Sequence, residues 1–243
     1  MTAYYTAKER TQRSVKENVK IVKRKTMTTF KEAFEAMDKP KEEPKRQGLR
    51  VSRFECVKPD WKRVLNAARR TVGKKPLDKE PSNKFKRQIL LAEHSPIRLL
   101  EYDFTWEDIK QWITVHYVRH HNGVLPFVHS QRPDRNEALK LLNRDDLKQG
   151  LLNDMDMTCN AQAFINISKV RLCSLASMET REAWKLVIEY LREVDPILAE
   201  KCVPSCVYRG RCPEGDKCCG YDKTQAFRDV LEEYWRIDNG EAK

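Results

Sequence analysis

Apolar residues recur along the chain in two rhythms, one of about two residues and one of about three to four, the signatures of strand and helix. The short rhythm marks LRVSRFEC at 49–56 and RLLEYDFT at 98–105 as strands. The longer one appears after Pro59, where Trp61, Val64, Leu65 and Ala68 recur at helical spacing and Gly73 fits the helix end. KFKRQILLA then reads as a short helix leading into EHSP. Thr105 is assigned as the cap of a helix whose stripe is Trp106, Ile109, Trp112, Ile113 and Tyr117, stopped by Asn122-Gly123. The segment VLPFVHSQRPDRNEALKLLNRDDLKQG reads as a loop followed by a short helix. Thr158 is taken as the cap of a long helix over about 159–194. Its buried face would be Phe164, Ile167, Leu172, Leu175, Trp184, Val187, Ile188 and Leu191, and Pro196 would end it. TQAFRDVLEEYWRI is the last helix. Few strands and several helices predict an α+β fold.

Before residue 49 the pattern weakens. VKIVKRKTMTTFKEAFEAM is compatible with a strand and a short helix, and KPKEEPKRQG reads as a charged, proline-containing linker. The predicted organisation is therefore a basic N-terminal extension and linker over 1–48 and a main domain over 49–243.

Charge sharpens that division. The 243-residue chain carries a net charge of +11. Residues 1–50 hold 14 Lys and Arg against 7 Asp and Glu, so +7 of the total sits there and +4 in the rest. A basic tail can lie on nucleic acid or an acidic partner, but a plain solvated extension is the default reading. No apolar run approaches the ~18 residues of a membrane span. MTAYYTAKER has no apolar segment with a cleavage site behind it, so a cytoplasmic protein is expected.

Eight cysteines are present. Cys56, Cys159 and Cys173 are scattered and read as small buried apolar groups. Cys202, Cys206, Cys212, Cys218 and Cys219 crowd one segment. Their intervals, C-x3-C-x5-C-x5-C-C, lack the paired C-x2-C knuckles of common zinc sites. Free thiols are the default expectation, zinc the alternative, and no metal is assigned.

The candidate chemistry lies in HYVRHHNGVLPFVHSQR at 116–132, which holds His116, His120, His121 and His129, four of the five histidines, with Arg119 and Arg132. Arginine forks bind phosphate or carboxylate through two bonds at once, and imidazole adds donors and a flat face. The Ser130-Gln131-Arg132 turn offers a hydroxyl and backbone N–H groups suited to a phosphate. His116 and His120 share a helix face at i, i+4, which keeps open a metal pair or simple helix capping. Asn160, Asn166 and Arg171 lie among apolar residues of the predicted long helix, where buried polar groups need partners. A ligand with carbonyl and imide edges would supply them; so would ordinary core hydrogen bonds. No G-x-S-x-G, P-loop or G-x-G-x-x-G motif occurs.

Four stretches together resemble the flavin-dependent thymidylate synthases, ThyX. They are LNAARRTVGK (65–74) with EHSPIRLLEYDFT (93–105), the 116–132 window, NAQAFINISKVRLCSLASMETREAW (160–184) and VPSCVYRGRCPEGDKCCG (203–220). The window is similar to the family signature of Arg-His-Arg, seven residues, Ser, any residue, Arg. The resemblance implies an α+β fold with a long central helix packed on an antiparallel sheet, assembled as a homotetramer with active sites where subunits meet. It implies FAD as cofactor, NADPH and methylenetetrahydrofolate as co-substrates, and a pyrimidine deoxynucleotide monophosphate, dUMP, converted to dTMP. By position, Arg119, His120 and His121 would contact FAD, with Asn160, Asn166, Glu93 and His94 nearby. His116, Ser130, Gln131 and Arg132 would hold the nucleotide, and Arg171 would polarise its pyrimidine.

The chain departs from the pattern at five places. His121 replaces the second signature arginine, and eight residues rather than seven precede Ser130. Gln162 stands where an arginine is common. The usual His-Glu-Ser/Thr-Pro reads Glu93-His94-Ser95-Pro96, and Ser177-Met178 replaces Gln-Trp. Fewer fixed cations weaken or re-aim anion binding. The rival readings are therefore the same scaffold making another C5-modified pyrimidine, such as a 5-hydroxymethyl nucleotide, and a non-catalytic basic nucleic-acid-binding protein.

Overall fold

The computed structural model describes residues 48–56 and 60–237 of the chain. The extension and linker expected over 1–48, with their strand and helix, lie outside the described residues apart from Gly48. The described part is an α+β unit, four antiparallel strands with helices against one face. The strands are β1 (Arg50–Cys56), β2 (Glu101–Lys110), β3 (Val124–Val128) and β4 (Leu152–Asn160), in the spatial order β1-β2-β4-β3.

Strand alternation builds the core. On β2, Tyr102, Phe104 and Trp106 are buried and sit opposite Cys159, Met157 and Met155 of β4, which are also buried. Glu101, Asp103 and Thr105 turn to the other face, the in–out pattern of a sheet covered on one side. The covering layer includes α4 (Ala161–Arg171) and α5 (Met178–Val194). Phe164 and Trp184 from these helices meet edge-on or tilted against Phe104 and Trp106. Each buried indole donates its N–H: Trp106 to the Ala183 carbonyl at 3.0 Å, Trp184 to Ser168 Oγ at 2.8 Å. Asp195 closes the opposite end, accepting from Trp61 Nε1 (2.9 Å) and Tyr102 Oη (2.8 Å).

Several expectations needed correction. The helix placed from Thr105 begins only at Gln111: α3 is Gln111–Val118, and Trp106 and Ile109 belong to β2. Their three-residue spacing imitates a helix because the strand register shifts between them. Asp108 adopts a left-handed backbone (φ 58°), so Trp106 and Ile109 both face inward. Asp154 Oδ1 accepts the Asp108 N–H, and Asp108 Oδ2 accepts from Gly48 N and Arg50.

The long helix is in fact β4 followed by two helices. MDMTC alternates as a strand, Asn160 rather than Thr158 caps α4, and the turn at 172–177 breaks the run before Ser177 caps α5. Leu175, expected inside, is 52% exposed in that turn. Finally, VLPFV is strand β3, not loop. Pro126 is tolerated because β3 pairs only with β4 and lies at the sheet edge.

The other helices fall close to expectation: α1 (Trp61–Thr71), capped by Asp60; α2 (Asn83–Leu91), capped by Ser82; and α8 (Gln225–Trp235), capped by Thr224. Pro196 opens the short α6 (Pro196–Ala199), and α7 spans Ser205–Arg209. The expected short helix in 133–150 is two 3-10 turns, 137–139 and 144–146.

Candidate functional site

The predicted site residues gather into three groups. The first joins the end of α3 to the end of α4. Arg171 donates from Nε to His120 Nε2 at 3.0 Å and from Nη2 to the His116 carbonyl at 2.7 Å. Acceptance at Nε2 requires a neutral His120 with its proton on Nδ1. Burial, then the charges of Arg171 and His121, push the His120 pKa down to about 4. His116 Nδ1 lies 2.9 Å from Thr180 Oγ1, itself 2.7 Å from Ser177 Oγ. Burial, then Arg171 and Arg119, lower the His116 pKa. The neighbouring Tyr117 donates its hydroxyl to the Thr180 carbonyl at 2.7 Å, fixing α3 on α5. Arg171 is thus held by two neutral acceptors, and among the described residues no carboxylate pairs with it.

The second group lines an open polar cleft of about 630 Å³: Glu93, Arg98, Asn122, Gly123, Asn160, Gln162 and Asn166. Asn160 ends β4 and starts α4. Its Oδ1 accepts from Ala163 N at 2.9 Å, capping the helix, and its backbone N–H donates to the Gly123 carbonyl at 2.9 Å. Gly123 is left-handed (φ 74°), and a Cβ there would overlap the Asn160 side-chain amide. Gln162 and Asn166 follow one turn apart on the same helical face. Gln162 Nε2 donates to Glu93 Oε2 and reaches Asn166 Oδ1 at 3.4 Å.

Glu93 is the anion of this cleft. It sits just past α2 with a left-handed backbone (φ 47°), which turns it toward α4. Lys169 Nζ binds its Oε1 at 2.7 Å while lying 3.6 Å from the centroid of the Tyr208 ring. Burial raises the Glu93 pKa, but the hydrogen bonds from Lys169 and Gln162 outweigh it, and the net direction is down. Glu93 is therefore a fixed carboxylate at neutral pH.

The third group is the exposed turn after β3. Ser130 Oγ accepts from Arg132 N at 3.3 Å, and Asn136 Nδ2 donates to the Ser130 carbonyl at 3.2 Å. Arg132 is clamped by Asp134 through Nε (2.9 Å) and Nη2 (2.6 Å). Between them, Gln131 Nε2 is buried and has no hydrogen-bond acceptor among the described residues.

Arg171, His120 and His116 are therefore joined directly, and Glu93, Asn160 and Asn166 share one cleft. Arg119 and His121 are exposed at the end of α3. His94 points elsewhere: it lines a separate cleft of about 510 Å³ between α1 and α2, with Phe85, Ile89 and Pro96. Asn160, expected inside one long helix with Arg171, is instead the cap at the opposite end of α4.

Sequence reasoning missed Thr180, Lys169, Tyr208, Arg98 and Asp134. Lys169 was legible in part, since Gln162, Asn166 and Lys169 follow i, i+4, i+7. The remaining contacts are long-range and left no local signal. Among the described residues, no group of three or more His, Cys, Asp or Glu is arranged to hold a metal ion, and no helix is long and apolar enough to cross a membrane.

No family model and no curated protein matches the chain. Among solved structures, the chain is similar to the flavin-dependent thymidylate synthase ThyX from Helicobacter pylori complexed with FAD and dUMP. The TM-score is 0.49 at 15% identity, over 64% of this chain and 99% of that one. A second Helicobacter pylori ThyX structure with FAD and dUMP gives 0.47 at 15% identity, over 64% and 98%.

Proposed function

We propose that the chain is a flavin-dependent thymidylate synthase that methylates dUMP to dTMP, with methylenetetrahydrofolate as carbon donor and NADPH as reductant. The observation that carries this reading is the Arg171–His120 bond, which unites two motif residues 51 positions apart in sequence. In the motif-based assignment these belong to the pyrimidine side and the flavin side of one reaction centre.

The polar cleft suits FAD by its donor set. Side-chain amides of Asn122, Asn160, Gln162 and Asn166, with Arg98, match a ligand edge rich in carbonyl and imide groups. Glu93, Asn160 and Asn166 would hold the cofactor there, with Arg119, His120 and His121 contributing from the end of α3. When bound and reduced, flavin supplies the hydride. Arg171 offers a fixed positive charge to a pyrimidine carbonyl, and preorganised donors of this kind stabilise charge that develops in a transition state. Ser130, Gln131 and Arg132 hold the nucleotide phosphate, and the orphaned Gln131 amide gives that turn a buried donor in need of an acceptor. His116 lines the nucleotide side, oriented by Thr180. The assembly belonging to this reading is a homotetramer with sites completed between subunits, in the cytoplasm.

The test is a product assay by mass spectrometry. Purified protein with FAD receives dUMP, methylenetetrahydrofolate and NADPH. Appearance of dTMP is the expected result. A hydroxymethylated nucleotide would move the function to pyrimidine modification, a reading favoured by Gln162 occupying an arginine position. A flavin-loaded protein that leaves dUMP unchanged would overturn the proposed reaction. A colourless protein that takes up no flavin and binds DNA with a steep salt dependence would replace it with nucleic-acid binding.

A further inference from the structure

A cleft of about 480 Å³ between α5 and the segments that follow α6 has no part in the proposed reaction. Leu172 and Cys173 line it and directly follow Arg171, but Arg171 itself turns to α3 and does not reach it. Part of the lining is apolar, with Leu172, Ile188 and Pro204, and with Leu175, which is 52% exposed in the 172–177 turn. Another part is cationic. Arg181, Lys185 and Arg192 stand at i, i+4 and i+11 on one face of α5, and Lys217 joins them from the cysteine-rich loop. Two carboxylates, Glu189 and Glu214, line the same cleft, so four cations face two anions. Among the described residues none of the four cations is engaged in an ion pair. Arg181 Nε is shielded from solvent and has no hydrogen-bond acceptor among the described residues. A buried donor of this kind carries its desolvation cost until an acceptor arrives.

We propose that this cleft is a binding site for a small organic anion, a carboxylate, phosphate or sulfonate carried on an apolar body. The anionic head accepts from Arg181 Nε, and a guanidinium edge suits its oxygens. Lys185 and Arg192 add charge along the same helical face. The apolar body lies on Leu172, Leu175 and Ile188. The volume suits a small molecule, since ligand pockets run from about 300 to 1,000 Å³ and combine an apolar lining with a few placed polar groups.

The lining selects both halves of the ligand. A bare anion would meet the cations and leave the apolar wall wet. A neutral apolar molecule would cover that wall and leave the Arg181 N–H without an acceptor. A molecule with both parts answers both needs. The site is also separate from the polar cleft around Asn160, with which it shares no lining residue. That cleft offers mainly side-chain amides, whereas this one offers an excess of cations beside aliphatic groups.

The test titrates the full chain with anilinonaphthalene sulfonate, a flat apolar body with one anionic group, and follows its fluorescence. Saturable binding is expected, displaced by phenyl phosphate and by benzoate but not by inorganic phosphate at the same concentration. Arg181→Gln should raise the Kd about 10-fold or more, the scale of a lost charge-assisted contact. Arg192→Gln, at an exposed position that leaves the fold alone, should raise it up to about fivefold at low salt. Gln162→Ala, in the polar cleft, should leave it unchanged. An unchanged Kd in Arg181→Gln, a loss of binding in Gln162→Ala, equal displacement by inorganic phosphate, or no saturable binding at all overturns the site. In Arg181→Gln, an unchanged circular dichroism spectrum and retained binding of the neutral phenylnaphthylamine separate loss of the anion contact from loss of the fold.

Discussion

Two arginines of the candidate site, Arg171 and Arg132, are held in opposite ways. Arg171 comes from the last turn of a helix packed on the sheet, and its partners are a neutral imidazole and a backbone carbonyl. Its geometry is set in advance and its charge stays available. Arg132 comes from an exposed turn, and its fork is already closed on Asp134. It must exchange one anion for another before it can hold a phosphate. A group fixed without charge cancellation suits a transition state, where reorganisation during the step would raise the barrier. A group that trades one anion for another suits binding and release. In the proposed reaction, the same side chain would thus serve two ends of one substrate through its choice of partner.

The largest effect that would break this contrast is at Arg171. Arg171→Ala should lower turnover by about 100-fold or more, the scale of losing a preorganised donor, with the far-UV spectrum unchanged. Steady-state kinetics with dUMP would show it, and retained turnover would remove Arg171 from the chemistry. Arg132→Ala should act on the other parameter. KM for the nucleotide should rise by about 10- to 100-fold, the worth of a charge-assisted contact, while kcat changes little. A loss confined to kcat would mean that the loop arginine is not a binding group.

Asn160→Ala tests whether the helical half depends on its cap. Removing the side chain should cost about 1 kcal/mol, read as a lower denaturation midpoint at constant m-value. The smallest mutational effect is expected at Asp134. Asp134→Asn frees Arg132 from an exposed, salt-screened ion pair, so dUMP should bind up to about fivefold tighter at low salt by calorimetry. Weaker binding would show that Asp134 positions the arginine instead of competing for it.

A pH series sharpens the same comparison. The folded pKa of His120, about 4, lies below the ordinary 6.5, so the unfolded chain takes up this proton first. The His120 contribution to stability is therefore complete above pH 6.5 and is lost as pH falls from there to about 4. Thermal melts of the protein and of His120→Gln should converge over that window. Parallel curves would mean that His120 is not held neutral by its burial and by Arg171.

The grouping of the candidate residues was in part more legible than the fold that positions them. Arginine and histidine in one short window, and an Asn-rich stretch ending in Arg171, are chemical signals that survive without coordinates. The fold was misread where two periodicities overlap. A left-handed residue at Asp108 shifts the inward face of β2 by one position, so a strand presents helical spacing. The 172–177 turn escaped because apolar residues continue through it, and Leu175 is exposed there despite its type. The Glu93–Lys169 pair spans 76 residues and has no local mark, whereas the Ser177, Thr224 and Ser82 caps obey short-range rules. The separation of Glu93 from His94 depends on one backbone conformation that EHSP does not announce.

The fit of Gly123 beneath the Asn160 amide has a consequence for what changes of length the chain can absorb. The connection from α3 to β3 is registered against the start of α4 by a backbone hydrogen bond and by the missing Cβ together. Adding one residue at 122–123 would slide both out of step and lift the cap from the helix that carries Arg171. Residues 140–147, largely exposed and joined by short-range turns, should accept a loop graft or a reporter peptide with the site undisturbed.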